Sequence, residues 1–147
     1  MSTQHAGWAS SRVLVPGTPS QLGAFGLFAP PASTAVVLPA ARGEVRALAA
    51  DGDLLWLAFS EVARVGADGT DWAARAPLHA LWVVSGVPVL SEAPPESAQA
   101  FAALAEILRA ADVPLVVVAR EDPGPLPAPL PVETAEGDGM PPSDLGT

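Results

Sequence analysis

The sequence predicts an α/β fold: a β meander or hairpin followed by a βαβ unit with parallel strands. Three observations carry that expectation. Two runs, ALWVVSGV at 80–87 and DVPLVVVA at 112–119, are apolar on both faces, as strands covered by helices on either side are. Between them, residues 95–111 repeat apolar side chains at helical spacing. Ahead of them, three short apolar or alternating stretches are separated by turn-forming residues.

Taken in order, residues 1–33 are rich in Gly, Pro, Ser and Thr. Their short apolar pieces, RVLV and FGLF, are expected to form at most an edge strand and otherwise to stay irregular. A domain is expected over residues 34–120. Its first part reads as a meander of TAVVLP, EVRALA and DLLWLAFS, with Asp51-Gly52 supplying the positive φ of a tight hairpin. SEVA then reads as the first turn of a short helix capped by Ser60, and TDWAARA as another capped by Thr70.

ALWVVSGV is the first doubly buried strand. In PESAQAFAALAEILRAA, Pro95 suits the first helical position and Glu96 the positive end of the helix dipole. Ala98, Phe101, Leu104, Ala105 and Leu108 mark its buried face. DVPLVVVA completes a βαβ unit, for which a right-handed crossover and parallel strands are the rule. Beyond Arg120 the chain alternates proline and then turns acidic, so residues 121–147 are expected as an extended, mostly disordered tail.

Composition excludes several function classes. The 147 residues contain no lysine, so chemistry that rests on a lysine is ruled out for them. With no cysteine there is no disulfide framework, thiolate metal site or thiol nucleophile. The net charge is −9 and the seven arginines are scattered, which argues against a nucleic-acid partner, since phosphate neutralisation needs clustered cations. No run reaches the ~18 apolar residues of a membrane span, and LGAFGLFAPPASTAVVL is broken by Pro30 and Pro31 and lacks the cationic start of a signal peptide. The expected location is the cytoplasm.

Candidate sites are few. Ser85, His79 and Asp71 are the residue types of a nucleophilic triad, but no G-x-S-x-G elbow holds the serine, and His79 reads as a structural hydrogen bonder. DGD at 51–53 and DGTD at 68–71 lack the alternating acids and distal glutamate of a calcium loop, and read as turns. Neither catalytic nor metal-ligating residues are expected, nor a cofactor. Trp56, Trp72 and Trp82 are large enough to anchor an interface, although Trp56 and Trp82 sit in apolar strands and are expected in the core.

The segment from about Val36 to Ala119 resembles the C-terminal half of the core of ZapE-type ATPases, AAA-class P-loop proteins of bacterial cell division. EVRALAADGDLLWLAFSEVA is similar to the family's hairpin and F-x-x-L-C turn, with Phe59 at the phenylalanine and Ala63 at the cysteine. In TDWAARAPLHALWVVSGVPVL, Asp71 and Trp72 stand for the family's Asp-Tyr, and His79, Gly86, Val87 and Pro88 match directly. Phe101 falls on the phenylalanine of the family's D-x-A-R-R-F helix.

The resemblance implies a partial P-loop ATPase-like sheet without its ATPase machinery. A Walker A loop needs G-x-x-x-x-G-K-[ST], which a lysine-free chain cannot supply. The family's acidic Walker B strand has no counterpart, and its arginine pair is replaced by Gln99 and Ala100. Arg109 stands for its helix tyrosine and Val118 for the small polar end of its last strand. The expectation is therefore a truncated or divergent family member that does not hydrolyse ATP alone and acts through a protein partner or self-association. The alternative is a stand-alone, non-catalytic interaction module on the same scaffold.

Overall fold

Between Leu81 and Ala119 the sequence alternates between stretches that favour extended chain and one that favours helix, and the fold follows it. The computed structural model describes residues 8–28, 30–40, 43–51, 53–66, 70–124 and 130–134, leaving aside the side chains at 32, 40, 43, 51, 70 and 71. The strands are β1 (Arg12–Val15), β2 (Val36–Ala40), β3 (Gly43–Ala47), β4 (Ala49–Asp51), β5 (Leu54–Ala58), β6 (Leu81–Val87), β7 (Leu115–Ala119) and β8 (Val132–Thr134). The helices are α1 (Pro19–Gly23), α2 (Phe59–Val65), α3 (Thr70–Arg75) and α4 (Pro95–Ala110). No helix among the described residues is long and apolar enough to cross a membrane.

The fold is α/β, built on a six-stranded, mostly parallel sheet in the order β4-β5-β6-β7-β1-β8. Only β4 runs antiparallel to its neighbour. β6, α4 and β7 form the βαβ unit with parallel strands that the periodicity predicts. Pro95 opens α4 where a missing N–H matters least, Glu96 lies in its first turn and Arg109 in its last. Phe101, Leu104, Ala105 and Leu108 are buried as expected. Ala100 joins them, whereas Ala98 is only half-buried.

Because successive strand residues point to opposite faces, each central strand divides its apolar side chains between two cores. Leu55, Leu57, Trp82, Val84, Leu115, Val117 and Val13 face α2, α3, α4 and the inner side of β3. Trp56, Leu81, Val83, Val116 and Leu14 face the other way, against Leu22 and Leu27 from α1 and the turn after it. Burial of each such Leu, Val or aromatic side chain contributes about 1.5–3 kcal/mol.

Two short segments, residues 12–15 and 132–134, correct the sequence reading. Residues 12–15, placed in an irregular segment or at an edge, lie inside the sheet between β7 and β8, with Val13 and Leu14 buried. Residues 132–134, placed in a disordered tail, form the strand that closes the sheet on that side. The reason is long-range pairing: a three- or four-residue strand carries too little periodicity to be read alone and is held by its neighbours. Residues 125–129 and 135–147 of that tail lie outside the described residues.

The expected meander is two separate hairpins. β2 and β3 form their own two-stranded sheet, and β4 and β5 belong to the large one. Asp51 pairs with Leu54 across the β4–β5 turn, while Gly52 lies outside the described residues. Ser60 does not cap α2: Phe59 already belongs to the helix, and the cap position is Ala58, which has no side-chain acceptor. Thr70 is likewise the first residue of α3 rather than the residue before it.

Candidate functional site

The strand order marks one place where a ligand site is expected. From β1 the chain travels to the far side of the sheet to build β5, β6 and β7 in turn, whereas from β7 it crosses to β8 on the other flank of β1. The connections thus leave β1 and β7 in opposite directions, and the crevice at their carboxyl ends is a switch point, the usual ligand position in open α/β sheets. A strand, a tight turn and a helix N-terminus, the elements that cradle phosphates, meet there as β1, Gly17-Thr18 and α1.

The same residues fill that position themselves. Thr18 caps α1 by accepting a hydrogen bond from the Gln21 amide N–H (3.1 Å), and Gln21 reaches back in a capping box. The Gln21 Oε1 accepts from the backbone N–H groups of Gly17 (2.8 Å) and Thr18 (3.0 Å). Its Nε2 donates to the carbonyls of Val15 (3.1 Å) and Glu133 (2.9 Å). Both acceptor sites and both donors of the carboxamide are therefore used. The amides that would face an anion are occupied by a neutral side chain, which also ties β1 to β8.

Gly17 shows why the crevice is tight. It has φ +87°, and a Cβ there would stand 2.3 Å from Cγ1 of Val118 on β7. Only glycine meets both demands. On the β7 side, Asp122 accepts from the Gly124 N–H (2.9 Å), closing its own turn.

Among the positions carried by the ZapE resemblance, the aromatic ones pack into the core. Phe59 and Phe101 meet as tilted rings 5.7 Å apart, and Trp72 and Trp82 meet edge to face at 6.0 Å; all four are buried in the helix-side core. Trp72, offered by the sequence as an interface anchor, is fully buried, as Trp82 is, and Trp56 is nearly so. His79 stands at the amino end of β6 with its ring edge-on to Trp82 at 5.9 Å. Gly86 has φ +72° at an irregularity in the β6–β7 register, followed by buried Val87 and half-buried Pro88. Asp71 belongs to α3, and its side chain lies outside the described ones.

Of the Ser-His-Asp candidates, His79 stands before the amino end of β6 and Ser85 lies toward its carboxyl end, while the Asp71 side chain is outside the described ones. Five residues lie between His79 and Ser85, and the last four of them, 81–84, are extended in β6, about 13 Å at ~3.3 Å each. The Ser85 hydroxyl instead accepts from the Trp56 indole N–H (3.0 Å). Among the described residues no three His, Cys, Asp or Glu side chains come close enough to hold a metal ion. Of the two candidate calcium loops, residues 52, 68 and 69 lie outside the described residues, as do the side chains of Asp51, Thr70 and Asp71.

One buried acid went unread in the sequence. Glu61 in α2, 7% exposed, accepts from the Arg46 backbone N–H (2.8 Å) and from the Arg64 guanidinium, whose Nε lies 3.0 Å from its other oxygen. Arg64 also donates to the Glu44 carbonyl (2.6 Å). Burial alone would raise the Glu61 carboxyl, but the hydrogen bonds from Arg64 and the Arg46 amide, with the charges of both arginines, hold it below its ordinary value. The cluster fastens α2 to β3. The sequence signals for Gln21 and Glu61 were local: a T-x-x-Q capping pattern, and an acid one turn before an arginine.

No family model, no curated protein and no solved structure matches the chain.

Proposed function

We propose that these residues form a divergent member of the ZapE-type ATPase family that does not hydrolyse ATP and acts in the cytoplasm by protein association. The family reading rests on the ordered similarities from Val36 to Ala119. The observation that carries the loss of hydrolysis is the switch-point turn. Its two amides are held by Gln21, and no lysine exists in the sequence to reach a β or γ phosphate. The cell-division setting follows from the resemblance alone. The charge of −9 with scattered arginines supports a protein rather than a nucleic acid as the partner.

A second reading, a stand-alone interaction module, has its own support. The central strands β5, β6 and β7 are buried on both faces by this chain, so no missing half is needed to cover them.

The test has two parts. Nucleotide binding and turnover are measured on the purified protein, and partners are recovered from its own cells by pull-down with mass spectrometry. The expected result is no nucleotide binding and a specific protein partner. ATP turnover by the purified chain would overturn the proposal. Co-recovery of a P-loop protein with turnover in the complex would mean that the chain completes an ATPase in trans.

A further inference from the structure

The β2–β3 hairpin carries Val36 (37% exposed) and Val37 (55%), with Leu48 (36%) just beyond it, among the few large apolar side chains left exposed in the described residues. Leu78 (62%) follows Arg75, which reaches the Pro39 carbonyl. Several of the backbone groups that strand addition to the hairpin edges would need are already taken. On β2, Pro39 has no N–H and its carbonyl accepts from Arg75 at 2.8 Å. On β3, the Arg46 N–H is taken by Glu61 and the Glu44 carbonyl by Arg64. The outer face is the hairpin's broader exposed surface. Burial along β3 alternates, with Val45 and Ala47 inside and Glu44, Arg46 and Leu48 outside. Opposite Glu44 and Arg46, the register places Pro39 and Val37.

That face is complementary to itself. Glu44 and Arg46 are two residues apart on one strand and point the same way. If a second copy is turned end over end about an axis across the strands midway between them, Glu44 meets the other copy's Arg46 and Arg46 meets its Glu44. The same rotation sets Val37 against Pro39. We infer that the outer face of the β2–β3 hairpin is a two-fold self-association surface whose occupant is a second copy of this chain, held by reciprocal Glu44–Arg46 pairs over an apolar floor. The inference deepens the protein-association reading and rests on it. Two five-residue strands make a face smaller than the ~800 Å² per partner of a standard stable interface, so the association is weak and concentration-dependent.

The experiment is sedimentation of the full chain over a range of concentrations, with Glu44→Arg, Arg46→Glu and the double exchange compared, each first checked for an unchanged circular-dichroism spectrum. The wild type is expected to rise above its 14.9 kDa monomer mass as concentration increases. Each single charge reversal puts like charges face to face and should weaken association about tenfold or more. The double exchange should restore it. An equimolar mixture of the two single variants should associate when neither does alone, because the paired acids of the Arg46→Glu variant then oppose the paired cations of the Glu44→Arg variant. A wild type that stays monomeric, or folded single variants that associate as it does, would overturn the inference. The protein-association reading survives that result if the pull-down still recovers a partner, and falls separately if the purified chain turns over ATP.

Discussion

The two faces of the central sheet are built differently. On one, α2, α3, α4 and the inner side of β3 cover a continuous core that includes Trp72, Trp82, Phe101 and Leu108. On the other, a five-residue helix and the turn after it place Leu22 and Leu27, with Phe25 beside them, over Leu14, Trp56, Leu81, Val83 and Val116. The first face is held mainly by its broad apolar core, with the Glu61–Arg64 cluster tying α2 to β3. The second is thin, and its position depends on one tight glycine and one carboxamide, so polar and steric detail decides it.

Four variants sharpen or break that contrast, from the largest expected effect to the smallest. Phe101→Ala empties the centre of the thick face and should lower stability by about 3–5 kcal/mol in denaturant unfolding. A loss under about 1 kcal/mol would mean that α4 is not the main support of that core. Gly17→Ala sets a Cβ against Val118 in a left-handed backbone, and about 2–4 kcal/mol is expected from overpacking and φ strain together. An unchanged melting temperature would contradict the close approach of β1 to β7.

Gln21→Leu keeps much of the volume but leaves the Gly17 and Thr18 amides and the Val15 carbonyl without their partner. About 1–3 kcal/mol should be lost. In hydrogen exchange the amides of Leu22 to Leu27 should open locally while those of β6 stay protected. Equal protection loss in β6 would show the two faces to be one cooperative unit.

Glu61→Gln should cost about 1–2 kcal/mol at neutral pH, as the charged hydrogen bonds to Arg64 and the Arg46 amide become neutral ones. Because the folded carboxyl lies below its ordinary value near 4.5, its contribution is present above that pH and is lost as the pH falls through the lower, folded value. The gap between wild type and variant should therefore close on acidification. A gap that stays constant down to about pH 3 would remove Glu61 from the account of acid stability.

Legibility in the sequence followed the same division. β6, α4 and β7 were readable because seven-, sixteen- and five-residue elements carry their own apolar pattern. The two hairpins were readable as strands but not in their partners, since the split between β2–β3 and β4–β5 depends on which layer each strand joins. Arg12 to Val15 was not readable as an interior strand. Its pairing with Val116 to Val118 spans roughly a hundred residues, and such a register leaves no local trace. Phe59, Trp72 and Phe101 were legible as a pattern of apolar positions, and the structure places them in the core.

The sequence by itself determined the α/β class, the βαβ unit and the absence of lysine and cysteine chemistry, because these follow from composition and short-range periodicity. Only the tertiary structure decided that residues 12–15 and 132–134 enter the sheet, that a switch point forms between β1 and β7, and that Gln21 closes it. Those outcomes depend on segments far apart in sequence meeting in a register set by burial on both faces of the sheet, a condition that no local stretch encodes alone.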